Sequence, residues 1–211
     1  MKDVEKKNTN PSTYTYTGER NTKGERHGQG RAVLDNGDIY VGEYKHGVRH
    51  GYGEYWFFQQ NGAKYAGCYS NNKKNGEGTF LYPDKSRYEG EWKNDKRHGR
   101  GTYRYTNGDV YIGEWSADMR HGKGEYHYVD EDMVYTGMWR HGRRSGEGKL
   151  MFNDNYFEGH FRHDKMLGPG KYVFKDGRQQ YGEYVIEHNR NNTSNGEFVT
   201  EWRGKNIQGY V

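Results

Sequence analysis

Residues 88–105 read Tyr88-Glu89-Gly90-Glu91-Trp92-Lys93-Asn94-Asp95-Lys96-Arg97-His98-Gly99-Arg100-Gly101-Thr102-Tyr103-Arg104-Tyr105. A near copy follows at once. Tyr111-Ile112-Gly113-Glu114-Trp115 opens it, and Arg120-His121-Gly122-Lys123-Gly124-Glu125-Tyr126-His127-Tyr128 closes it. The same frame starts at Tyr16, Tyr40, Tyr65, Tyr135, Phe157 and, in worn form, Gln180. From Tyr40 onward the steps are 25, 23, 23, 24, 22 and 23 residues. A period of that size is the mark of a repeat architecture. Such architectures mostly build extended surfaces that hold partners.

One unit reads as a β-hairpin. Tyr88, Gly90 and Trp92 alternate with Glu89 and Glu91, so the two sets point to opposite faces of a strand. A polar stretch from Lys93 to Arg97 follows, and His98-Gly99 is expected to close the turn. Gly101, Tyr103 and Tyr105 then share a face, with Thr102 and Arg104 behind them. Thr106-Asn107-Gly108-Asp109 is a turn of the Asn-Gly type. Repeated glycines disfavour helix, each costing about 1 kcal/mol against alanine.

Stacked in register, the units make ladders of rings. Tyr44, Tyr69, Trp92, Trp115, Trp139, Phe161 and Tyr184 occupy one rung position. Tyr55/Phe57, Phe80/Tyr82, Tyr103/Tyr105, Tyr126/Tyr128, Leu150/Phe152 and Tyr172/Phe174 occupy two others. All should line one face of an elongated, curved, single antiparallel sheet. Gly42, Gly67, Gly90, Gly113, Gly137 and Gly159 sit between aromatics and leave room for a ring from the next strand. Seven hairpins would give fourteen strands and a stack of about 65–70 Å before curvature. The expected organisation is a disordered N-terminus over residues 1–13, a repeat array over 14–179, and a degenerate repeat with a C-terminal cap over 180–211. Within the last part, 182–186 reads as a strand, 187–195 as a polar loop and 197–202 as a final strand that covers the open edge.

Composition sets further bounds. The chain has 211 residues, of which 30% are hydrophobic and 16% aromatic, with 21 tyrosines and 32 glycines. Fixed glycine positions and the ring content argue against disorder, despite the shortage of aliphatic side chains. Lys+Arg totals 33 and Asp+Glu 29, with the signs interspersed, which is unlike the basic stripe of a nucleic-acid binder. The lone cysteine, Cys68, permits no internal disulfide and fits a reducing compartment. The polar N-terminus does not read as a signal peptide, and no apolar run approaches a bilayer span of about 20 residues. An intracellular protein is expected.

Several residues could suggest chemistry. Arg26-His27-Gly28, Arg49-His50-Gly51, Arg97-His98-Gly99 and Arg120-His121-Gly122 share one frame position. A metal would need imidazoles from turns two strands, or about 9.6 Å, apart to converge. Asn75, Ser145 and Leu167 also break the row. Structural turn residues, or an outer basic row of Arg49, His50, Arg97, His98, Arg120 and His121 meeting an acidic surface, are the remaining readings. Glu43, Glu91 and Glu114 recur because the unit recurs, on the solvated face, and should pair with lysine or arginine across strands. No phosphate loop and no nucleophile elbow occur, and Cys68 stands where other units place glutamate. The expectation is no catalytic residue, no cofactor and no metal, with a ring-lined groove of Tyr44, Tyr69, Trp92, Trp115, Trp139, Phe161, Tyr103 and Tyr126 as the candidate partner surface.

Tyr-x-Gly-x-Trp followed by Gly-x-Gly-x-Tyr resembles the MORN repeat (membrane occupation and recognition nexus), over residues of about 16 to 178. The irregular units are more telling. Tyr16-Thr17-Gly18-Glu19-Arg20-Asn21 with Gly24-Glu25-Arg26-His27-Gly28 resembles the first unit of the radial spoke head one (meichroacidin) family. Gly168-Pro169-Gly170-Lys171-Tyr172-Val173-Phe174 with Tyr181-Gly182-Glu183-Tyr184 is similar to that family's last units. The family's long acidic tail is not in this sequence. The resemblance implies a non-enzymatic scaffold of the radial spoke head, in the cytoplasm and cytoskeleton of the cilium or flagellum. It implies contacts with other spoke-head subunits through the groove and with central-apparatus projections through the basic turns. A homodimer is compatible with it. The competing implication is an adaptor for phosphoinositide-rich membranes, disfavoured by the near balance of charges and the absence of an amphipathic anchor. Catalytic domains that follow MORN repeats elsewhere have no room in this chain.

Overall fold

The computed structural model describes residues 15–187 and 199–209. The expected N-terminal disorder and most of the polar loop after Ile186 lie outside those residues. The fold is all-β and antiparallel, and strand order follows the sequence. Two compact units divide after Pro83. In the first, β1 (Thr15–Arg20), β2 (Arg26–Val33), β3 (Ile39–Lys45), β4 (Val48–Trp56), β5 (Lys64–Ser70) and β6 (Lys73–Leu81) pair each with the next. The second runs through β7 (Arg87–Lys93), β8 (Lys96–Arg104), β9 (Val110–Ser116), β10 (Met119–Tyr128) and β11 (Met133–Arg140). It ends with β12 (Arg143–Phe152), β13 (Asn155–Arg162), β14 (Lys165–Val173), β15 (Gln179–Glu187) and β16 (Val199–Gly204). Among the described residues β1 to β14 are the strands of the seven expected hairpins, and β15 and β16, expected over 182–186 and 197–202, pair as a further hairpin.

The alternation places the faces as the sequence indicates. Tyr88 lies opposite Tyr103, Gly90 opposite Gly101, and Trp92 opposite Arg97. Tyr88 and Trp92 are buried while Lys93 and Glu89 are exposed. The turn is elsewhere, however. Asn94 and Asp95, at φ 50° and 69°, form a two-residue connection, and His98-Gly99 lies inside β8. Both φ values positive is the primed hairpin geometry that matches strand twist, and Asn tolerates it well.

His98, Gly99 and Arg100 stand opposite Glu91 alone, a bulge between the Gly90 and Trp92 pairings. Such an insertion bends the strand and raises its twist. The Tyr88 and Trp92 rings therefore meet at 5.1 Å, edge to face, although four residues separate them. The Tyr88 hydroxyl donates to the Glu91 carbonyl at 2.9 Å and secures the bend. Tyr40, Tyr65, Tyr111 and Tyr135 repeat that bond.

The glycines make room for rings, but the ring over Gly90 comes from Tyr88 of its own strand, not from the next one. A Cβ on Gly101 would lie 2.3 Å from the Tyr88 hydroxyl, and one on Gly90 would lie 2.4 Å from the Gly101 Cα. Glycine faces glycine across the strands, and one tyrosine covers both. In the last hairpin Gln180 holds the tyrosine position, and the indole of Trp202 from β16 covers Gly182 instead. Its Nε1 donates to Gln180 at 3.1 Å.

Candidate functional site

The ring-bearing face is a row of closed contacts. Tyr40, Tyr65, Tyr88, Tyr111, Tyr135 and Phe157 are each at most 1% exposed. Tyr111 meets Trp115 of its own strand at 5.2 Å and Trp139 of the next unit at 5.3 Å, both edge to face. That geometry sets the positive ring edge against the negative ring face.

Arginine completes this face. The Arg97 guanidinium lies 4.4 Å from the Trp115 ring centroid and 5.2 Å from that of Tyr103. Arg120 lies 4.3 Å from Trp139 and 5.2 Å from Tyr126. In the first unit Arg49 lies 5.1 Å from Tyr69 and 5.2 Å from Tyr55. Each guanidinium also donates to a carbonyl in the turn of the following hairpin. Arg97 reaches Asp118 at 2.9 Å, Arg120 reaches Gly142 at 2.7 Å, and Arg144 reaches Asp164 at 2.7 Å. Arg26 and Arg49 do the same to Gly47 and Asn72. A planar cation that stacks on rings and donates through its edge suits both tasks, and lysine does not. Arg97→Lys should therefore cost about 1–2 kcal/mol, as the stacked fork is lost. Arg104→Lys, on an exposed strand position, should be near neutral. Urea unfolding of the two variants checks this, and equal midpoints would refute the clamp.

The glutamates are committed on the opposite face. Glu91 accepts the Arg100 N–H at 2.8 Å, Glu43 that of Tyr52 at 3.1 Å, and Glu114 that of Lys123 at 3.3 Å. They satisfy the bulge backbone rather than pairing with lysine or arginine, because the bulge leaves an N–H that the ladder does not use. The bulge glycine responds to them. Gly51, Gly99 and Gly122, under a glutamate, have φ of 58°, 55° and 59°. Gly76 and Gly146, facing Cys68 and Met138, open to 101° and 73°. Cys68 is a free strand cysteine, as the sequence indicates.

At the far turn Asp109 is 5% exposed and accepts from the Tyr126 hydroxyl at 2.8 Å and from the Val129 N–H at 2.9 Å. Burial opposes its ionisation, yet the bonds from Val129, Asn107 and Tyr126 hold the carboxyl below its usual range. Asp38 repeats the arrangement with Tyr55 and Phe58.

The predicted residues are brought together, but not as a groove. Tyr44, Tyr69, Trp92, Trp115, Trp139 and Phe161 are 3–5% exposed and Tyr126 is 8%, with Tyr103 half-buried. Neighbouring rings and the arginine guanidinium groups cover them, so the rings are a core and present little to a visitor. The outer basic row is likewise revised. Arg49, Arg97 and Arg120 lie in β4, β8 and β10 with their guanidinium groups on the ring face, and His50, His98 and His121 lie beside the bulge in the same strands. The His50 Nδ1 is buried without a hydrogen-bond partner. Among the described residues no group of three or more His, Cys, Asp or Glu is placed to hold a metal ion. No helix among them is long and apolar enough to cross a membrane.

The family model described as MORN repeat matches residues 22–39, 40–61, 65–87, 88–110, 111–133, 135–155 and 157–177. A radial spoke head 1 homolog of Cyprinus carpio is 63% identical over 30 residues, 14% of this chain and 14% of that protein. The TCP10 domain of Danio rerio CPAP, in complex with a peptide of STIL, aligns over 87% of this chain and 84% of its own, at 10% identity and TM-score 0.37. The SAS-4 TCP domain of Drosophila melanogaster, in complex with a proline-rich motif of Ana2, aligns over 95% and 97%, at 10% identity and TM-score 0.42.

Proposed function

The chain belongs to the MORN repeat family, and from that premise we propose that it is a non-enzymatic scaffold of the radial spoke head in the ciliary or flagellar axoneme. Its work there is to hold spoke-head subunits through protein–protein contacts. The short stretch shared with the carp radial spoke head homolog supports the ciliary assignment. The scaffold assignment is carried by one observation: the recurring polar groups are engaged in building the sheet. Carboxylates of Glu43, Glu91 and Glu114 hold bulge N–H groups, and guanidinium groups of Arg49, Arg97 and Arg120 hold the next turn. Within this reading residues 14–179 form the array, and 180–211 finish it, with Trp202 seated in the vacant tyrosine position.

Expression of the tagged chain in flagellated cells tests the reading. The tagged protein should fractionate with axonemes and bring down spoke-head subunits after mild extraction. A chain absent from axonemes that instead sediments with phosphoinositide vesicles at physiological salt would replace it with the membrane-adaptor reading.

A further inference from the structure

The turn ends of two neighbouring hairpins in the second unit differ from the rest. Arg140, His141, Arg143, Ser145, Arg162 and His163 line an open cavity of about 680 Å³. No carboxylate lines it. Arg140, Arg143 and Arg162 are exposed, and none of their side chains makes an ion pair, hydrogen bond or ring contact among the described residues. This contrasts with Arg97, Arg120 and Arg144, which are stacked and clamped. The nearest acid in sequence, Asp164, is occupied by the Arg144 backbone N–H at 2.8 Å.

The backbone sets the imidazoles beside these guanidinium groups. His141 and His163 sit at φ 50° and 49°, the first position of their two-residue turns, as His46 does in the turn between β3 and β4. Histidine is among the residues that tolerate this left-handed conformation.

We propose that this cavity is a docking site for an acidic, extended segment of a partner protein. Guanidinium forks match carboxylates in two parallel hydrogen bonds. The two turns are about 9.6 Å apart, and one three-residue turn of polyproline II chain, at about 3.1 Å per residue, spans that length and returns every third side chain to the same side. Glutamates at every third position would therefore meet Arg140 and Arg143 on one turn and Arg162 on the next. No Phe, Tyr or Trp lines the cavity as a stacking platform for a base, and no apolar side chain lines it to enter a bilayer. The proposal rests on the scaffold reading only in supplying one of its contacts.

The test uses the full chain and a labelled short peptide with glutamate at every third position, followed by fluorescence anisotropy at physiological salt. Arg140→Gln/Arg143→Gln/Arg162→Gln should weaken binding by about tenfold or more. Lys93→Gln/Lys96→Gln/Arg104→Gln removes equal charge from exposed positions of another hairpin and should leave binding intact. Unchanged circular dichroism and melting confirm that both variants fold. Equal weakening in the two variants, or no binding by the parent chain, overturns the proposal. So does binding to anionic vesicles with the same arginine dependence when the peptide fails to bind. Axonemal fractionation reads the spoke-head assignment separately, so each can fail without the other.

Discussion

Trp115→Ala should destabilise the second unit by about 3–5 kcal/mol, the range for removing a large buried ring. Trp115 is 4% exposed. Its ring meets Tyr88 at 5.3 Å and Tyr111 at 5.2 Å, edge to face. Its Nε1 donates to the Gly101 carbonyl at 3.2 Å, and the Arg97 guanidinium lies over it. Truncation therefore opens a cavity, leaves a carbonyl without its donor and strips the half-buried Arg97 cation of its ring. Flanking hairpins lose their mutual contact, so the damage should spread, as it does when a nearest-neighbour interface fails in a stacked array. Urea unfolding followed by circular dichroism measures it, with hydrogen exchange locating the opened strands in β8 to β11. A loss below about 1 kcal/mol would show that the ring is peripheral after all. Loss of partner binding in such a variant says nothing about a docking surface, because the sheet itself is compromised.

The second large effect is on alkaline stability. Burial, the main cause in each case, raises the phenol pKa of Tyr40, Tyr55, Tyr111, Tyr126, Tyr135 and Tyr172 well above the usual value of 10.0. Tyr105 and Tyr128 shift the same way for the same reason. The sign follows from linkage. Below pH 10 both folded and unfolded chains hold these protons, and the contribution to stability is complete. Above it the unfolded chain ionises first, and stability falls as pH climbs toward the folded values. Eight phenols acting together should make the loss steep. Phenolate absorbance should lag and then appear together with the collapse of the β signal. Smooth ionisation of all tyrosines near pH 10 with the sheet intact would contradict the packing described for them.

Much of this was legible in the chain. The alternation Tyr88, Gly90, Trp92 set the faces, and the two-dozen-residue step set the neighbours. The turn was misplaced because Arg97-His98-Gly99 carries a glycine, while Asn94-Asp95 carries none. That pair was nonetheless a primed-turn signal. Arg97 shares parity with Gly101 and Tyr103, so continued alternation puts it on the ring face. Treating it as turn ended the count too early. What parity could not supply was the bulge opposite Glu91, since an inserted pair of residues leaves no trace in a period of two. Nor could it show that the rings and guanidinium groups close over one another, because the ring row reads the same whether or not they meet. The cluster around Arg140 and Arg162 required the turns to be located first.

The clamps run one way. Each arginine leans on the hairpin that comes after it and never on the one before, and the position holds Met166 in β14, whose following hairpin is joined by a long connection instead of a two-residue turn. The array therefore has a direction, like a row of shingles. Peeling from the C-terminal side strands a cation wherever that position holds an arginine, while peeling from the N-terminal side only removes one that had already found its carbonyl. Fraying under load should accordingly differ between the two ends, and a protein pulled from one side should yield at a different force than when pulled from the other.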